Sequence, residues 1–114
     1  MFYIYGLHLE GNDEIRYIGS TCNPNKRFLQ HLYGHEERNP GKNEWVAANQ
    51  RRLRMKILQS NVSERDRRKA EQRAILECLG KGHRLLNDRR AARNAATPED
   101  VTWWLDHIEA DRPY

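Results

Sequence analysis

The sequence predicts a small α/β domain, and three observations carry that reading. Residues 2–9 and 14–19 each divide their side chains between two faces and are separated by the turn-forming phrase Gly11-Asn12-Asp13, the pattern of a β-hairpin. Asn23-Pro24 and Ser63-Glu64-Arg65-Asp66 both look like helix starts. The first pairs an N-cap with proline at the first helical position, and the second resembles a capping box. Between them, residues 55–58 form a short apolar run that reads as a third strand. A chain of 114 residues makes one domain with an adequate core.

Taken in order, the first strand places Phe2 and Ile4 on one face and Tyr3, Tyr5, Leu7 and Leu9 on the other. Its partner places Ile15 and Tyr17 on a common face. The helix opened by Asn23-Pro24 should run to residue 34, with Phe28, Leu29 and Leu32 as its apolar side. A second helix is expected over residues 43–52. The third strand stops at Gln59-Ser60-Asn61, and the helix from Ser63 should end at Gly80-Lys81-Gly82. Residues 88–96 read as a basic connector. Thr97-Pro98-Glu99-Asp100 then opens an added C-terminal helix, on which Val101, Trp104, Leu105 and Ile108 share a face. We therefore expect one domain over residues 1–93, with an acidic helical extension, 94–114, packed on it.

Composition narrows the function classes. Charged residues make up 32% of the chain, and no apolar stretch approaches the roughly 20 residues of a membrane span. The apolar run after Met1 has no basic leader, which argues against a signal peptide. Two cysteines, Cys22 and Cys78, make no disulfide framework and suggest a reducing, cytoplasmic setting. Buried thiols are the default expectation for both. The net charge of +4 is unevenly spread, because residues 51–93 carry fourteen basic and five acidic side chains. Residues 94–114 reverse the balance, with one basic and five acidic. A basic middle beside an acidic tail is a footprint for a polyanion. The competing reading is a solvated helix surface. Arg51, Arg52, Arg54, Arg68, Lys69, Arg89 and Arg90 are the candidate contacts, directed at the nucleic-acid backbone rather than at base edges.

Helical geometry brings further groups together. Arg27 and His31 are four residues apart, so they share a side of their helix and flank whatever the hairpin presents. Two hairpin tyrosines with an arginine and a histidine suit phosphoryl chemistry. On the helix from Ser63, the apolar positions Ala70, Ala74, Ile75, Cys78 and Leu79 centre close to Glu71. A carboxylate inside a buried stripe is costly unless it is paired or binds a cation. Glu77 falls at the margin and is of the ordinary solvated kind. No phosphate-binding glycine loop or nucleophile elbow is present. His31 and His35 lack a third metal ligand.

The phrase Tyr17-Ile18-Gly19-Ser20, preceded by Tyr3-Ile4-Tyr5 and followed by Arg27, resembles the GIY-YIG nuclease family. The match covers residues 3–87, with Tyr3 standing where the family has the glycine of its first string. The resemblance implies a small three-stranded antiparallel sheet flanked by helices. It also implies hydrolysis of DNA phosphodiesters with a divalent metal held by one glutamate. That glutamate falls on Glu71, with Ile75 four positions on and then Leu86-Asn87. The family's two tyrosines fall on Tyr5 and Tyr17, its arginine on Arg27 and its helix histidine on His31. Its further histidine is nearest to His35. By this resemblance Glu71 would hold Mg²⁺ or Mn²⁺, Arg27 would bind a phosphate oxygen, and Tyr5, relayed by His31, would be the base. Tyr17 would orient water or phosphate, and Asn87 would join the nucleic-acid contacts. DNA is the expected partner, with RNA as a second possibility; low specificity, recognition of a DNA branch or end, a homodimer and a specificity-providing partner protein are the open alternatives for site choice. The alternative function is a non-catalytic nucleic-acid-binding module that uses the Arg-rich segment. A third reading is an interaction protein that uses the last helix, on which Trp103 projects to the side.

Overall fold

β1 (Phe2–Leu9), β2 (Tyr17–Thr21) and β3 (Leu53–Val62) form a three-stranded antiparallel sheet in the order β2-β1-β3. α1 (Pro24–Tyr33), α2 (Pro40–Ala48) and α3 (Arg67–Gly80) flank it, so the mixed α/β architecture follows the sequence reading. The computed structural model describes residues 1–33 and 39–87. His35, Arg89, Arg90, Arg93 and the expected extension over 94–114 lie outside the described residues.

β1 is covered on both faces. Ile4, Tyr5, Gly6 and Leu7 are all buried. On one face Tyr5 and Leu7 join Leu53 of β3 and Val46 of α2, with Phe28 and Leu32 of α1 packed against them. On the other face Ile4 and Ile18 join Val62 and the α3 side chains Ala70, Ile75 and Cys78. α1 and α2 thus cover one face and α3 the other. This two-sided burial follows from β1 being the central strand.

Local chemistry explains most element ends. Asn23 Oδ1 accepts from the Lys26 amide at 3.2 Å, and the phrase recurs at Asn39-Pro40, where Asn39 Oδ1 accepts from the Lys42 amide at 3.1 Å. The second helix therefore runs over 40–48 rather than 43–52. α3 begins at Arg67 rather than Ser63. Ser63 Oγ accepts from the Asp66 amide and donates to the Asp66 carboxylate, which closes a turn ahead of the helix. α3 ends in a Schellman motif. Gly82 takes a left-handed φ of 88°, and the His83 amide donates to the Cys78 carbonyl at 3.0 Å.

Three corrections concern exposure and length. β3 extends to Val62, well past the expected end. Its last polar residues face solvent on an edge strand, where no apolar signal is required. Leu29 is 55% exposed and Leu79 37% exposed, so neither belongs to its helix's buried face. Cys22 is exposed, whereas Cys78 is buried. Among the described residues no helix is long and apolar enough to cross a membrane.

The outer side of β2 and the residues before it are laced to the segment after α3. The Ile15 amide donates to His83 Nδ1 at 2.7 Å. Arg84 makes a bidentate pair with Glu14, and its guanidinium holds the Glu14 carboxyl down at about 2. Asn87 completes the lace. Its Oδ1 accepts from the Ile18 amide at 2.8 Å and its Nδ2 donates to the Ile18 carbonyl at 2.7 Å. The side-chain amide imitates a neighbouring strand and satisfies one residue of the sheet edge. Asn87→Ala should therefore lower unfolding stability by about 1–3 kcal/mol, read from the urea midpoint. An unchanged midpoint would show that water replaces the amide at no cost.

Candidate active site

The backbone register sets the geometry of the site. Tyr5 lies directly across from Gly19, and Ile4 across from Ser20. Tyr5, Tyr17 and Gly19 thus face α1 and α2, while Ser20 faces α3. Gly19 is required by contact. A Cβ there would overlap the Tyr5 hydroxyl and lie 2.6 Å from its ring carbon Cζ. The glycine lets the Tyr5 hydroxyl lie flat against the neighbouring strand.

Around that hydroxyl the structure assembles a network of polar side chains. Tyr5 Oη and His31 Nε2 are 2.6 Å apart. Arg27 Nε donates to Tyr5 Oη at 3.3 Å, and Arg27 Nη1 donates to Gln30 at 3.3 Å. Lys42 Nζ donates to His31 Nδ1 at 3.1 Å. The Tyr17 ring meets the His31 ring edge-on at a centroid distance of 5.3 Å, and Lys42 Nζ lies 5.4 Å from the Tyr17 ring centre. Tyr5, His31 and Lys42 are buried, while Tyr17 and Arg27 are only partly so. The cluster is a buried polar network with a partly exposed arginine and tyrosine at its margin.

Glu71 stands on the other side of β2. Ser20 Oγ donates to Glu71 Oε2 at 3.0 Å. Burial pushes the Glu71 carboxyl above its usual value; the Ser20 hydrogen bond and the charges of Arg67, Arg27 and Arg68 act in the opposite direction. Consecutive residues of one strand, Gly19 and Ser20, therefore connect the tyrosine network to the carboxylate. Arg27 belongs to both halves, through its hydrogen bond to Tyr5 and its charge on Glu71.

Of the residues named from the sequence, Tyr5, Tyr17, Arg27 and His31 come together on one face, and Glu71 joins them across the strand edge. Tyr5 is 0% exposed, and its hydroxyl is engaged by His31 and Arg27. Asn87 is committed to the Ile18 backbone and so is a structural residue. The basic candidates separate. Arg68 acts on Glu71 together with Arg67, and Lys69 is exposed near the start of the same helix. Arg51, Arg52 and Arg54 lie at the far end of the sheet, where Arg54 pairs with Glu10 at 3.3 Å and Arg52 bonds the Glu10 carbonyl. That end is four strand residues from Tyr5, roughly 13 Å.

Two residues escaped the sequence reading. Ser20 was visible only as part of the Tyr-Ile-Gly-Ser phrase. Lys42 was hidden because the second helix was set to begin one residue after it; the repeated Asn-Pro phrase was the signal that placed it in a first turn. A separate cavity of about 600 Å³ lies between β3 and α3, lined by Lys56, Leu58, Arg73, Cys78 and His83 among others. Burial pushes the Cys78 thiol up, which makes it a poor nucleophile there.

A divalent cation fits Glu71 by its chemistry. The carboxylate is partly buried, one oxygen is held by Ser20, and no buried side-chain oxygen among the described residues lacks a partner, so Oε1 reaches solvent. No cluster of three or more His, Cys, Asp or Glu stands among the described residues. A single carboxylate suits Mg²⁺, which keeps several waters, better than a closed zinc site. The raised carboxyl has a signed consequence. Folding disfavours the charged form, so the cost is present above the folded-state value and absent below the usual 4.5. Glu71→Gln should therefore melt higher than the parent at pH 7, with the gain vanishing below about pH 4.5. Adding Mg²⁺ should raise the parent's melting temperature and leave the variant's unchanged. A Glu71→Gln protein that melts lower at pH 7 would mark Glu71 as a structural ion-pair partner instead.

Comparison of the chain with protein-family models, with curated proteins and with solved structures finds no match.

Proposed function

We propose that the protein is a metal-dependent DNA endonuclease of GIY-YIG type, hydrolysing phosphodiester bonds at the β2 edge. The observation that carries this reading is that Arg27 donates to the Tyr5 oxygen while its charge also acts on the Glu71 carboxylate. A phosphodiester under attack by water develops negative charge on its non-bridging oxygens and needs a proton removed from the water. Arg27 is suited to the first demand. Its Nε is held by Tyr5, and its partly exposed guanidinium can donate to a phosphate oxygen.

Tyr17 is suited to the second demand. It shares the face of Tyr5 and is partly exposed. The Lys42 ammonium stands 5.4 Å from its ring centre, a cation beside the aromatic ring. Proton abstraction therefore falls to Tyr17, and Tyr5 and His31 hold Arg27 in place. Glu71 would hold a divalent cation such as Mg²⁺ or Mn²⁺, which would supply Lewis-acid polarisation of the phosphate and stabilisation of the leaving oxygen. Arg67, Arg68 and Lys69 near the start of α3 supply backbone charge beside the carboxylate, so binding should weaken steeply with salt and vary little with sequence. A non-catalytic binding module would have no use for a partly buried carboxylate beside those arginines.

Incubation of supercoiled, linear and branched DNA with and without Mg²⁺ or Mn²⁺ tests the proposal. The parent should nick DNA only with the metal. Glu71→Gln should cut slower by about two orders of magnitude or more, with equal or tighter DNA binding. Glu77→Gln should cut like the parent, because Glu77 is exposed and paired with Lys81. Tyr17→Phe should lose about 100-fold or more in rate at unchanged melting temperature, whereas Tyr5→Phe should lose both rate and stability. Equal metal-dependent cleavage by the parent and Glu71→Gln would sink the assignment.

A further inference from the structure

Lys42 is 3% exposed, yet it takes no direct part in the proposed reaction. We infer that Lys42 is a positioning residue whose ammonium sets the tautomer of His31, so that His31 donates its hydrogen bond to the Tyr5 oxygen that also holds Arg27. This inference rests on the nuclease reading for its link to activity, but not for its link to His31.

An ammonium has donors and no acceptor. Lys42 Nζ lies 3.1 Å from His31 Nδ1, so Nδ1 must present its lone pair. A neutral imidazole then carries its hydrogen on Nε2. Nε2 is 2.6 Å from Tyr5 Oη, so the imidazole N–H donates and the tyrosine oxygen accepts. Arg27 Nε–H donates to that oxygen as well. The opposite tautomer would set an N–H against the Lys42 ammonium, and so would a second proton on the ring. The geometry therefore favours the neutral Nε2–H form of His31.

Among the described residues, the titratable groups facing this chain are Tyr5 of β1, Tyr17 of β2, Arg27 of α1 and Lys42 of α2. β3 places the apolar Ile57 across from Tyr5. The Tyr17 ring near Lys42 Nζ favours the ammonium in its seat. With both donors in place the Tyr5 oxygen carries more negative charge, and Arg27 is held more firmly toward the strand edge.

The test is a ¹⁵N titration of the His31 imidazole in the intact protein, alongside nicking assays of two variants. In the parent, His31 should show the Nε2–H tautomer and no titration between pH 8 and 5.5. In Lys42→Met the ring should titrate near ~6.5. Nicking by Lys42→Met should be about tenfold below the parent at pH 8. That deficit should shrink toward about twofold at pH 5.5, because a protonated His31 must again donate from Nε2. Lys42→Arg, which keeps the donors, should restore most of the rate at pH 8. An Nδ1–H tautomer or ordinary titration in the parent would overturn the inference, and this readout stands even if Lys42→Met does not fold. A Lys42→Met deficit that is equal at both pH values would overturn the positioning role. Parent protein that shows the expected tautomer but cuts no DNA would refute the nuclease reading while the hold of Lys42 on His31 survives.

Discussion

The contact on which the rest depends is the Tyr5 hydroxyl lying against Gly19. It is possible only because the cross-strand residue has no side chain. From that position one oxygen meets His31 and Arg27 of α1, and through His31 it reaches Lys42 of α2. Three elements are thereby oriented by one buried oxygen. Buried polar networks of this kind are worth having only when fully satisfied, and no buried side-chain nitrogen or oxygen among the described residues lacks a partner.

The same strand then separates and joins two chemical environments. One face of β2 carries Tyr17 and Gly19 against the cationic network, and the other carries Ser20 against Glu71. The carboxylate thus stands off the tyrosine face and takes its hydrogen bond from Ser20. Burial disfavours the charge on Glu71, and a bound cation is the simplest group that would offset that cost. The lace between residues 14–18 and 83–87 supports this arrangement, because it holds the strand edge on which the two halves meet.

Much of this was legible in the sequence where the cause is local. The hairpin, the Asn-Pro helix starts and the glycine-rich end of α3 all follow from turn and cap chemistry, and their bounds fall within a few residues of expectation. The conjunction of Tyr5, Arg27 and His31 was legible because strand and helix periods put them on one side; Tyr17 joins them there, but Ile15, expected on its face, packs on the opposite one with Ile4 and Ile18. What could not be read depends on tertiary packing. The full burial of Tyr5 needs α1 and α2 in place. The burial of Lys42 beside His31 links two helices and leaves no mark in either. The Arg-rich stretch reads as one patch along the chain, but β3 carries Arg51, Arg52 and Arg54 to the end of the sheet near Glu10. Asn87 carries no signal in its own residue type, because its role is set by the edge that it meets.

A double-mutant cycle between Tyr5 and Gly19 tests the central contact most directly. Gly19→Ala, Tyr5→Leu and the double variant would be compared with the parent by urea unfolding. Tyr5→Leu takes away the hydroxyl and the ring atoms that an added methyl would meet. Gly19→Ala should therefore cost about 1–3 kcal/mol in the parent and clearly less in the Tyr5→Leu background. Additive costs would show that the end of the Tyr5 side chain does not rest on Gly19, and the organisation built on that contact would be wrong.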